Sequence, residues 1–294
     1  MREPLAPSIA NRNGSAPKVD WLATVFEDLA LVGQTVACAR EAGAMALDYF
    51  RTGARTTATV EFKDGGSPVT EADRKVDAFL RNRLSPLMPA AGWLSEESED
   101  SEDRLARTYV FVVDPIDGTR AFLVGDPRWG ISIALVQSGR PLFGVLHFPA
   151  LEKTYVSARG RGSTLNNVSI MASKRTELEG AIIAGPAGAL RKLAGTGVAF
   201  RSEPRIPSLA YRLARVADGS LDAGLASTNA CDWDIAAADI LILEAGGRLT
   251  DLYDMDIQYN CRDPRHGPLC CAPDQLRPTL TGAMRDSLGA ADLS

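Results

Sequence analysis

The sequence has few of the residues on which many hydrolases depend. It contains only two histidines, His147 and His266, and no Gly-x-Ser-x-Gly segment, so a serine nucleophile activated by histidine is not indicated. Its five cysteines are an odd number with irregular spacing, and Cys270 directly adjoins Cys271. This pattern differs from the Cys-x-x-Cys spacing of zinc sites and predicts reduced thiols. Both histidines are expected to be structural or to face solvent.

Long apolar runs are also missing. No stretch approaches the roughly 20 residues that span a bilayer, and the first residues lack the apolar core of a signal peptide. The net charge of −5 argues against a nucleic acid polymer or an anionic membrane as the main partner. We therefore expect a cytoplasmic protein that acts on small molecules. Residues 1–17, rich in Pro, Ser, Asn and Arg, are expected to form a disordered tail.

The hydrophobic pattern predicts a mixed α/β fold. The 294 residues are 45% hydrophobic, enough for two subdomains, which we assign to residues 18–160 and 161–294. Helical periodicity predicts helices over residues 20–50, 70–86, 209–217 and 233–244. Short apolar runs between turn residues predict strands over residues 109–113, 131–136, 142–148, 153–158, 181–184 and 221–226.

Two aspartates lie in the turn directly after one predicted strand. The run from Val110 to Thr119 reads Val-Phe-Val-Val-Asp-Pro-Ile-Asp-Gly-Thr. Burying Asp114 and Asp117 side by side is costly unless a cation neutralises them, and carboxylate oxygens are the ligands that Mg²⁺ prefers. Gly118 lets a phosphate approach the backbone, and Thr119 adds a hydroxyl beside it. The turn therefore predicts a site for metal and phosphate.

A similar motif with different chemistry can be excluded. Haloacid-dehalogenase phosphatases carry Asp-x-Asp-Gly-Thr after a hydrophobic strand, and their first Asp is the nucleophile. Here Pro115 stands two residues before Asp117 and offers no nucleophile. A covalent phospho-aspartate is therefore not expected, and attack by a water activated by a divalent cation remains.

Other acidic residues could join this site, but each also fits a structural role. Asp73 has the spacing of a helix cap. Glu96 follows an apolar Trp-Leu pair, yet it also opens an acidic run of the kind that is usually solvated. Asp232, Asp234 and Asp239 lie at or within one predicted helix, and their spacing does not decide which of them is functional.

Taken together and in order, these motifs resemble the inositol monophosphatase family of metal-dependent phosphatases. The series is Thr-Glu-Ala-Asp ending at Asp73, Glu-Glu from Glu96, Asp-Pro-Ile-Asp-Gly-Thr from Asp114, and Trp-Asp ending at Asp234, followed by Glu-Ala-Gly-Gly. The resemblance covers about residues 30–247. It implies a layered α-β-α-β-α sandwich, a lithium-sensitive homodimer, and two or three Mg²⁺ per site, for which Mn²⁺ could substitute.

The resemblance also implies roles for single residues. The implied metal ligands are Glu96, Asp114, the carbonyl of Ile116, Asp117 and Asp234. Asp73 and Thr119 match the pair that orients and deprotonates the attacking water, and Glu96 is grouped with them as catalytic. The backbone amides of Gly118 and Thr119 would hold the phosphate. The implied substrate contacts are Asp117, Gly118, Thr119, Ser227 and Asp234.

At the position that binds substrate, the sequence departs from inositol monophosphatases. Inositol monophosphatases carry a Glu seven residues before the Asp of the second signature, and Ser227 stands there instead. The segment at residues 257–264 looks more like that of bacterial 3′(2′),5′-bisphosphate nucleotidases. Candidates to bind a second phosphate are Arg191, Lys192, Arg205 and Arg212.

We therefore expect hydrolysis of adenosine 3′,5′-bisphosphate to AMP, with inositol 1-phosphate and histidinol phosphate as alternative substrates. A metal-binding scaffold without catalysis is disfavoured. Such a protein would be expected to lack a metal carboxylate or the Asp/Thr pair, and this sequence retains both.

Overall fold

A computed structural model describes residues 21–63 and 65–287, with side chains from residue 29 onward. The tail predicted at residues 1–17 lies outside the described residues. The helices are α1 (Trp21–Leu47), α2 (Glu71–Leu84), α3 (Thr119–Val124), α4 (Ala187–Ala194), α5 (Leu209–Ala217), α6 (Asp232–Glu244) and α7 (Arg277–Ser287). Short 3₁₀ turns lie at Ser85–Leu87, Glu102–Ala106 and Pro149–Leu151.

The first half of the chain builds a large sheet after a small hairpin. The hairpin consists of β1 (Val60–Phe62) and β2 (Pro68–Thr70). The sheet contains β3 (Gly92–Ser95), β4 (Tyr109–Asp117), β5 (Gly130–Gln137), β6 (Arg140–Phe148), β7 (Lys153–Ala158), β8 (Ser163–Leu165) and β9 (Val168–Ile170). The strands lie in sequence order. β3 and β4 are parallel, and the later pairs are antiparallel.

The second half builds a five-stranded sheet of mixed direction. The strands of this sheet are β10 (Ile182–Ala184), β11 (Arg201–Ser202), β12 (Ala223–Ala226), β14 (Gly247–Asp251) and β16 (Leu269–Pro273). Two further strands, β13 (Ala230–Cys231) and β15 (Arg265–His266), form a small separate ladder. The sheet order is β11-β10-β12-β16-β14, and β13 pairs with β15 apart from it. Parallel pairing of β10 with β11 and β12 follows from the helices that connect them.

The alternation of side chains along the strands assigns the layers. On β4, Phe111 and Val113 join the apolar cluster with α1 and α2, whereas Val110 and Val112 face α5 and α6. On β16, Cys271 faces that same middle helical layer, and its neighbour Cys270 packs with α4 and α7. The layers are therefore α1/α2, the seven-stranded sheet, α5/α6, the five-stranded sheet and α4/α7. The predicted α-β-α-β-α sandwich is confirmed.

The predicted elements match the structure closely except at their ends. The first helix ends at Leu47, three residues earlier than predicted, and its predicted first residue lies outside the described part. The strand predicted over 109–113 continues to Asp117. The helices α3, α4 and α7 and the strands β14 and β16 are not predicted by the sequence pattern. The subdomain boundary at residues 160/161 stays a prediction. β8 and β9, which follow it, belong to the first sheet.

The thiols and histidines have the structural surroundings that were predicted. All five cysteines are free. Nδ1 of His147 lies 3.0 Å from Oγ1 of Thr154, and burial lowers the pKa of His147 to about 4. The other histidine, His266, pairs with Asp232. Among the described residues, no helix is both long enough and apolar enough to cross a bilayer.

The close approach of β6 to α6 generates a stability prediction. A Cβ at Gly144 would lie 2.5 Å from the carbonyl oxygen and 2.8 Å from the Cα of Ala237 on α6. Because these are backbone atoms, they cannot rotate away, and Gly144→Ala should lower the free energy of unfolding by about 1–3 kcal/mol. Urea denaturation measures this change.

The matched control is Gly33→Ala in α1, where a Cβ meets nothing within 4 Å. That variant should be as stable as the parent or more stable by up to about 1 kcal/mol, because alanine favours a helix. Equal stability of Gly144→Ala and the parent protein would contradict the described packing of α6.

Candidate metal and phosphate site

Three carboxylates meet where β4 ends. Oxygen atoms of Asp114, Asp117 and Asp234 all lie within 4.8 Å of one another. In a regular strand, residues three apart point to opposite faces. The pairing of β4 with β5 shifts register between Asp114 and Asp117, and this irregularity lets both side chains face one point. The structure thus brings together three of the residues that the sequence nominated.

Asp117 is held by the start of α5. Ser208 caps this helix, accepting a hydrogen bond from the backbone N–H of Tyr211 at 2.9 Å, and its hydroxyl donates to Oδ2 of Asp117. The backbone N–H of Ala210 donates to the same oxygen at 3.0 Å. Sequence reasoning missed Ser208, although its position directly before the predicted helix at 209–217 marks it as a cap.

The three aspartates of α6 have three different surroundings, which resolves the ambiguity of the sequence. Asp232 Oδ1 lies 2.7 Å from Nε2 of His266. Asp239 accepts a hydrogen bond from the hydroxyl of Tyr259 at 2.9 Å. Asp234, in the first turn of α6, is the acid that joins the cluster with the two carboxylates of β4.

The cluster is electrostatically strained in the absence of a cation. Burial is the largest cause that raises the pKa of each carboxyl. The pKa of Asp117 rises to about 6, although its hydrogen bonds from α5 lower it in part. For Asp114 and Asp234 the pKa lies well above the ordinary value, and neighbouring carboxylates add to the shift. Converging, buried oxygen donors of this kind suit a hard divalent cation.

Asp73 and Thr119 lie in contact, as the resemblance implies. The Thr119 hydroxyl is 3.2 Å from Oδ1 of Asp73 and 3.1 Å from the carbonyl oxygen of Ile116. The other oxygen of Asp73 accepts from the backbone N–H of Thr70 at 2.8 Å, which completes the predicted capping box. Burial raises the pKa of Asp73 to about 6. Gly118 precedes α3 with φ of 89°, a conformation that favours glycine.

Glu96 follows β3, as the sequence suggested, but its carboxylate is engaged elsewhere. Nζ of Lys63 lies 3.1 Å from Oε1 of Glu96 and 2.7 Å from Oε1 of Glu97. The charge of Glu96 contributes to the raised pKa of Asp73 and of Asp114. Glu96 therefore lies near the acid cluster without being part of it, and its role as a metal ligand stays a prediction. No sequence pattern indicates that Lys63 pairs with Glu96.

A cleft of about 730 Å³ adjoins the acid cluster, and Asp117 and Asp234 form part of its wall. Ser227, Arg205 and Arg212 also line it. Of the four basic candidates for a second phosphate, the structure thus places two on the cleft. The other two lie on α4 and do not belong to the described lining of the cleft.

Arg212 is buried in the cleft wall without a carboxylate partner among the described residues. Its Nη1 donates to the carbonyl of Leu225 at 2.8 Å, and its Nη2 donates to the carbonyl of Ile206 at 2.9 Å. Its Nε has no hydrogen-bond partner there. Burial lowers the pKa of Arg212, and the nearby Asp117 opposes the shift. A buried guanidinium of this kind gains stability from an anion in the cleft.

Comparisons with known proteins agree with this geometry. The sequence profile described as "Inositol monophosphatase family" matches residues 30–287. An inositol-1-monophosphatase of Mesorhizobium japonicum is 35% identical over 66% of this chain and 75% of its own length. A histidinol-phosphatase of Mycobacterium tuberculosis is 36% identical over 66% and 77%. The 3′(2′),5′-bisphosphate nucleotidase CysQ of Aggregatibacter actinomycetemcomitans is 30% identical over 79% and 88%.

Solved structures show the same fold. The extragenic suppressor protein suhB from Bartonella henselae is 30% identical, and the match covers 87% of this chain and 98% of that one with a TM-score of 0.75. An IMPase from Thermotoga maritima is 24% identical, with coverage of 92% and 98% and a TM-score of 0.73. At that identity the second match supports the fold alone.

The raised pKa values predict how a cation stabilises the protein at different pH. In the metal-free folded state, Asp117 keeps its proton up to about pH 6, whereas the unfolded chain loses it near pH 4. The stability that this carboxyl contributes is therefore present below about pH 4 and is lost as pH rises through 6. A bound divalent cation such as Mg²⁺ would remove that loss, so the increase in Tm with Mg²⁺ should grow between about pH 5 and pH 8.

Differential scanning fluorimetry with Mg²⁺ and with a chelator, at matched ionic strength, measures this increase. The control is Asp234→Asn, in which most of the increase should disappear at every pH. An increase in Tm that stays constant from pH 5 to pH 8 would contradict competition between protons and the cation.

Proposed function

The chain belongs to the inositol monophosphatase family and is a phosphoric monoester hydrolase, and we propose that it is a Mg²⁺-dependent 3′(2′),5′-bisphosphate nucleotidase that converts adenosine 3′,5′-bisphosphate to AMP. The observation that carries this proposal is the position of the acid cluster, which adjoins a cleft that Arg205 and the buried Arg212 also line. The acid cluster would serve hydrolysis of the ester, and the two arginines would serve recognition of a second anionic group.

The residues present fit a divalent cation. Asp114, Asp117 and Asp234 offer converging oxygens, and Glu96 and the carbonyl of Ile116 would complete the coordination of two or three Mg²⁺, or of Mn²⁺ in their place. When bound, the cations would offset the charge of the phosphate and lower the pKa of a water molecule. For Glu96 this role requires that its carboxylate exchange Lys63 for a cation.

Thr119 and Asp73 would handle the attacking water. The Thr119 hydroxyl lies between the Asp73 carboxylate and the Ile116 carbonyl, so it is positioned to orient a water molecule beside β4. Asp73 would accept the proton. Its pKa of about 6 leaves it ionised at neutral pH and still basic enough for this task. No histidine is needed in this scheme.

The turn after β4 would hold the phosphate. The backbone amides of Gly118 and Thr119 stand at the start of α3, where N–H groups favour an anion. A Cβ at Gly118 would lie 3.1 Å from Cβ of Ser208 and 3.2 Å from the carbonyl of Arg128. Glycine at this position therefore keeps α5, which binds Asp117, close to the phosphate turn.

The cleft favours a substrate with a second anion. Ser227 presents a neutral hydroxyl where inositol monophosphatases carry a glutamate to accept the hydroxyls of their substrate. Arg205 and Arg212 give the same cleft positive charge, and its volume lies in the usual range for small metabolites. The proposal further includes inhibition by lithium, a homodimer and a cytoplasmic location.

A substrate panel tests the proposed specificity. We expect kcat/KM to be higher for adenosine 3′,5′-bisphosphate than for inositol 1-phosphate or histidinol phosphate. Arg205→Gln should lower kcat/KM about 10-fold or more for the bisphosphate, since a charge-assisted hydrogen bond is lost, and should change it little for inositol 1-phosphate. A preference for inositol 1-phosphate or histidinol phosphate in the parent enzyme would assign it to that alternative substrate.

Asp117→Asn tests the chemistry itself. Loss of one carboxylate from the cluster should reduce kcat with Mg²⁺ by about 1,000-fold or more, because cation binding and positioning fail together. In a chelator, however, the variant should unfold at the same temperature as the parent protein or higher, because a repelling charge has been removed. Circular dichroism and phosphate release measure both effects. Normal turnover in this variant would contradict the assignment, and so would undiminished turnover of the parent protein in a chelator.

A further inference from the structure

The start of α6 is held by a buried acid that is not part of the acid cluster. Asp232 is fully buried. Its Oδ1 lies 2.7 Å from Nε2 of His266, and its Oδ2 accepts from the backbone N–H of Asn260 at 2.8 Å. Its own N–H donates to the carbonyl of Pro264 at 2.9 Å. One aspartate thus fastens the first turn of α6 to three points of the segment 260–266.

This attachment reaches Asp234 through the backbone. Ala230 and Cys231 form a short ladder with His266 and Arg265. The N–H of Cys231 donates to Oδ2 of Asp234 at 2.6 Å. Because His266 pairs in the ladder and also reaches back to the helix with its ring, the donor that fixes the Asp234 carboxylate cannot move independently of the segment 260–266.

A buried arginine extends the attachment to the other side of the site. Nη1 of Arg104 donates to Oδ1 of Asn260 at 2.8 Å and to the carbonyl of Cys261 at 3.0 Å. The Asn260 amide returns a hydrogen bond to the carbonyl of Arg104 at 3.1 Å, and Asp100 neutralises the guanidinium. Arg104 lies in the 3₁₀ turn that follows β3 and Glu96, so α6 is tied to the segment that carries Glu96.

We propose that these residues act as a positioning group that sets the affinity of the site for divalent cations. The group, which we call the α6 clamp, consists of Arg104, Asp232, Asn260 and His266. Three carboxylates gathered in one buried place repel each other, and without the clamp the start of α6 would move Asp234 away from Asp114 and Asp117. This inference rests on the proposed function and concerns how that site is held.

The alternative is that the α6 clamp only stabilises the fold. A test must distinguish this from an effect of the clamp on cation affinity. Asp239 provides the control, since it is another aspartate of α6, is half-buried, and is held by the Tyr259 hydroxyl at 2.9 Å. Asp239 follows Asp234 in α6 by more than one helical turn. Loss of either carboxylate should lower Tm, but only loss of the clamp should change the binding of the cation.

The experiment compares Asp232→Asn, His266→Phe, His266→Gln and Asp239→Asn in the full chain. The probe is Mg²⁺ alone, and the readout is the Mg²⁺ concentration that gives half of the maximal increase in Tm. This concentration should rise about 10- to 100-fold in Asp232→Asn and His266→Phe, as for other groups that orient metal ligands. His266→Gln keeps an N–H donor for Asp232 and should restore much of the affinity. Asp239→Asn should have a lower Tm but the same half-saturating Mg²⁺ concentration as the parent protein.

Turnover supplies a second readout for the same variants. In the clamp variants, the Mg²⁺ concentration for half-maximal phosphate release should rise in parallel, while kcat at saturating Mg²⁺ stays within about threefold of the parent. If His266→Phe does not fold, Asp232→Asn carries the test. Unchanged half-saturating Mg²⁺ in the clamp variants, or an equal rise in Asp239→Asn, would overturn the clamp and leave the proposed function intact. A parent protein that responds to Mg²⁺ in neither readout would overturn both.

Discussion

Mutual repulsion among buried carboxylates is the constraint on which the rest of this structure depends. Oxygens of Asp114, Asp117 and Asp234 lie within 4.8 Å of one another, an arrangement that a folded chain cannot tolerate without donors or cations. Each acid has at least one backbone donor, supplied by Ile116, Ala210 or Cys231. These hydrogen bonds hold the oxygens in place and leave the remaining negative charge for a divalent cation to offset.

The layers of the sandwich explain why the donors are available. The two sheets are separated by α5 and α6, and the starts of both helices lie beside the end of β4. The positive end of each helix therefore faces the carboxylates. Packing that buries the apolar faces of β4 and α6 also decides the distance between their acids. The close contact of Gly144 with Ala237 shows this dependence, since it sets how near α6, which carries Asp234, lies to the first sheet.

The site and the cleft differ in how far the sequence predicts them. The carboxylates of β4 are predictable as a cluster because strand, turn and acids are consecutive, and the Thr70–Asp73 cap is predictable because it is local. Ser208 and Lys63 are not, since each meets its acidic partner across a long stretch of chain. The basic residues show the same limit, because composition alone does not separate those on the cleft from those on α4.

By itself the sequence determined the class of fold, the presence and order of β4, α2, α5 and α6, and the resemblance to metal-dependent phosphatases, because these follow from residues that are neighbours along the chain. Only the tertiary structure decided which acid of α6 joins the site. Asp232 and Asp239 meet partners that lie about 20 or more residues away, and helix geometry then directs Asp234 to β4. The aspartates of one helix cannot be told apart by sequence spacing. Their burial and their partners in the folded protein give each a different role.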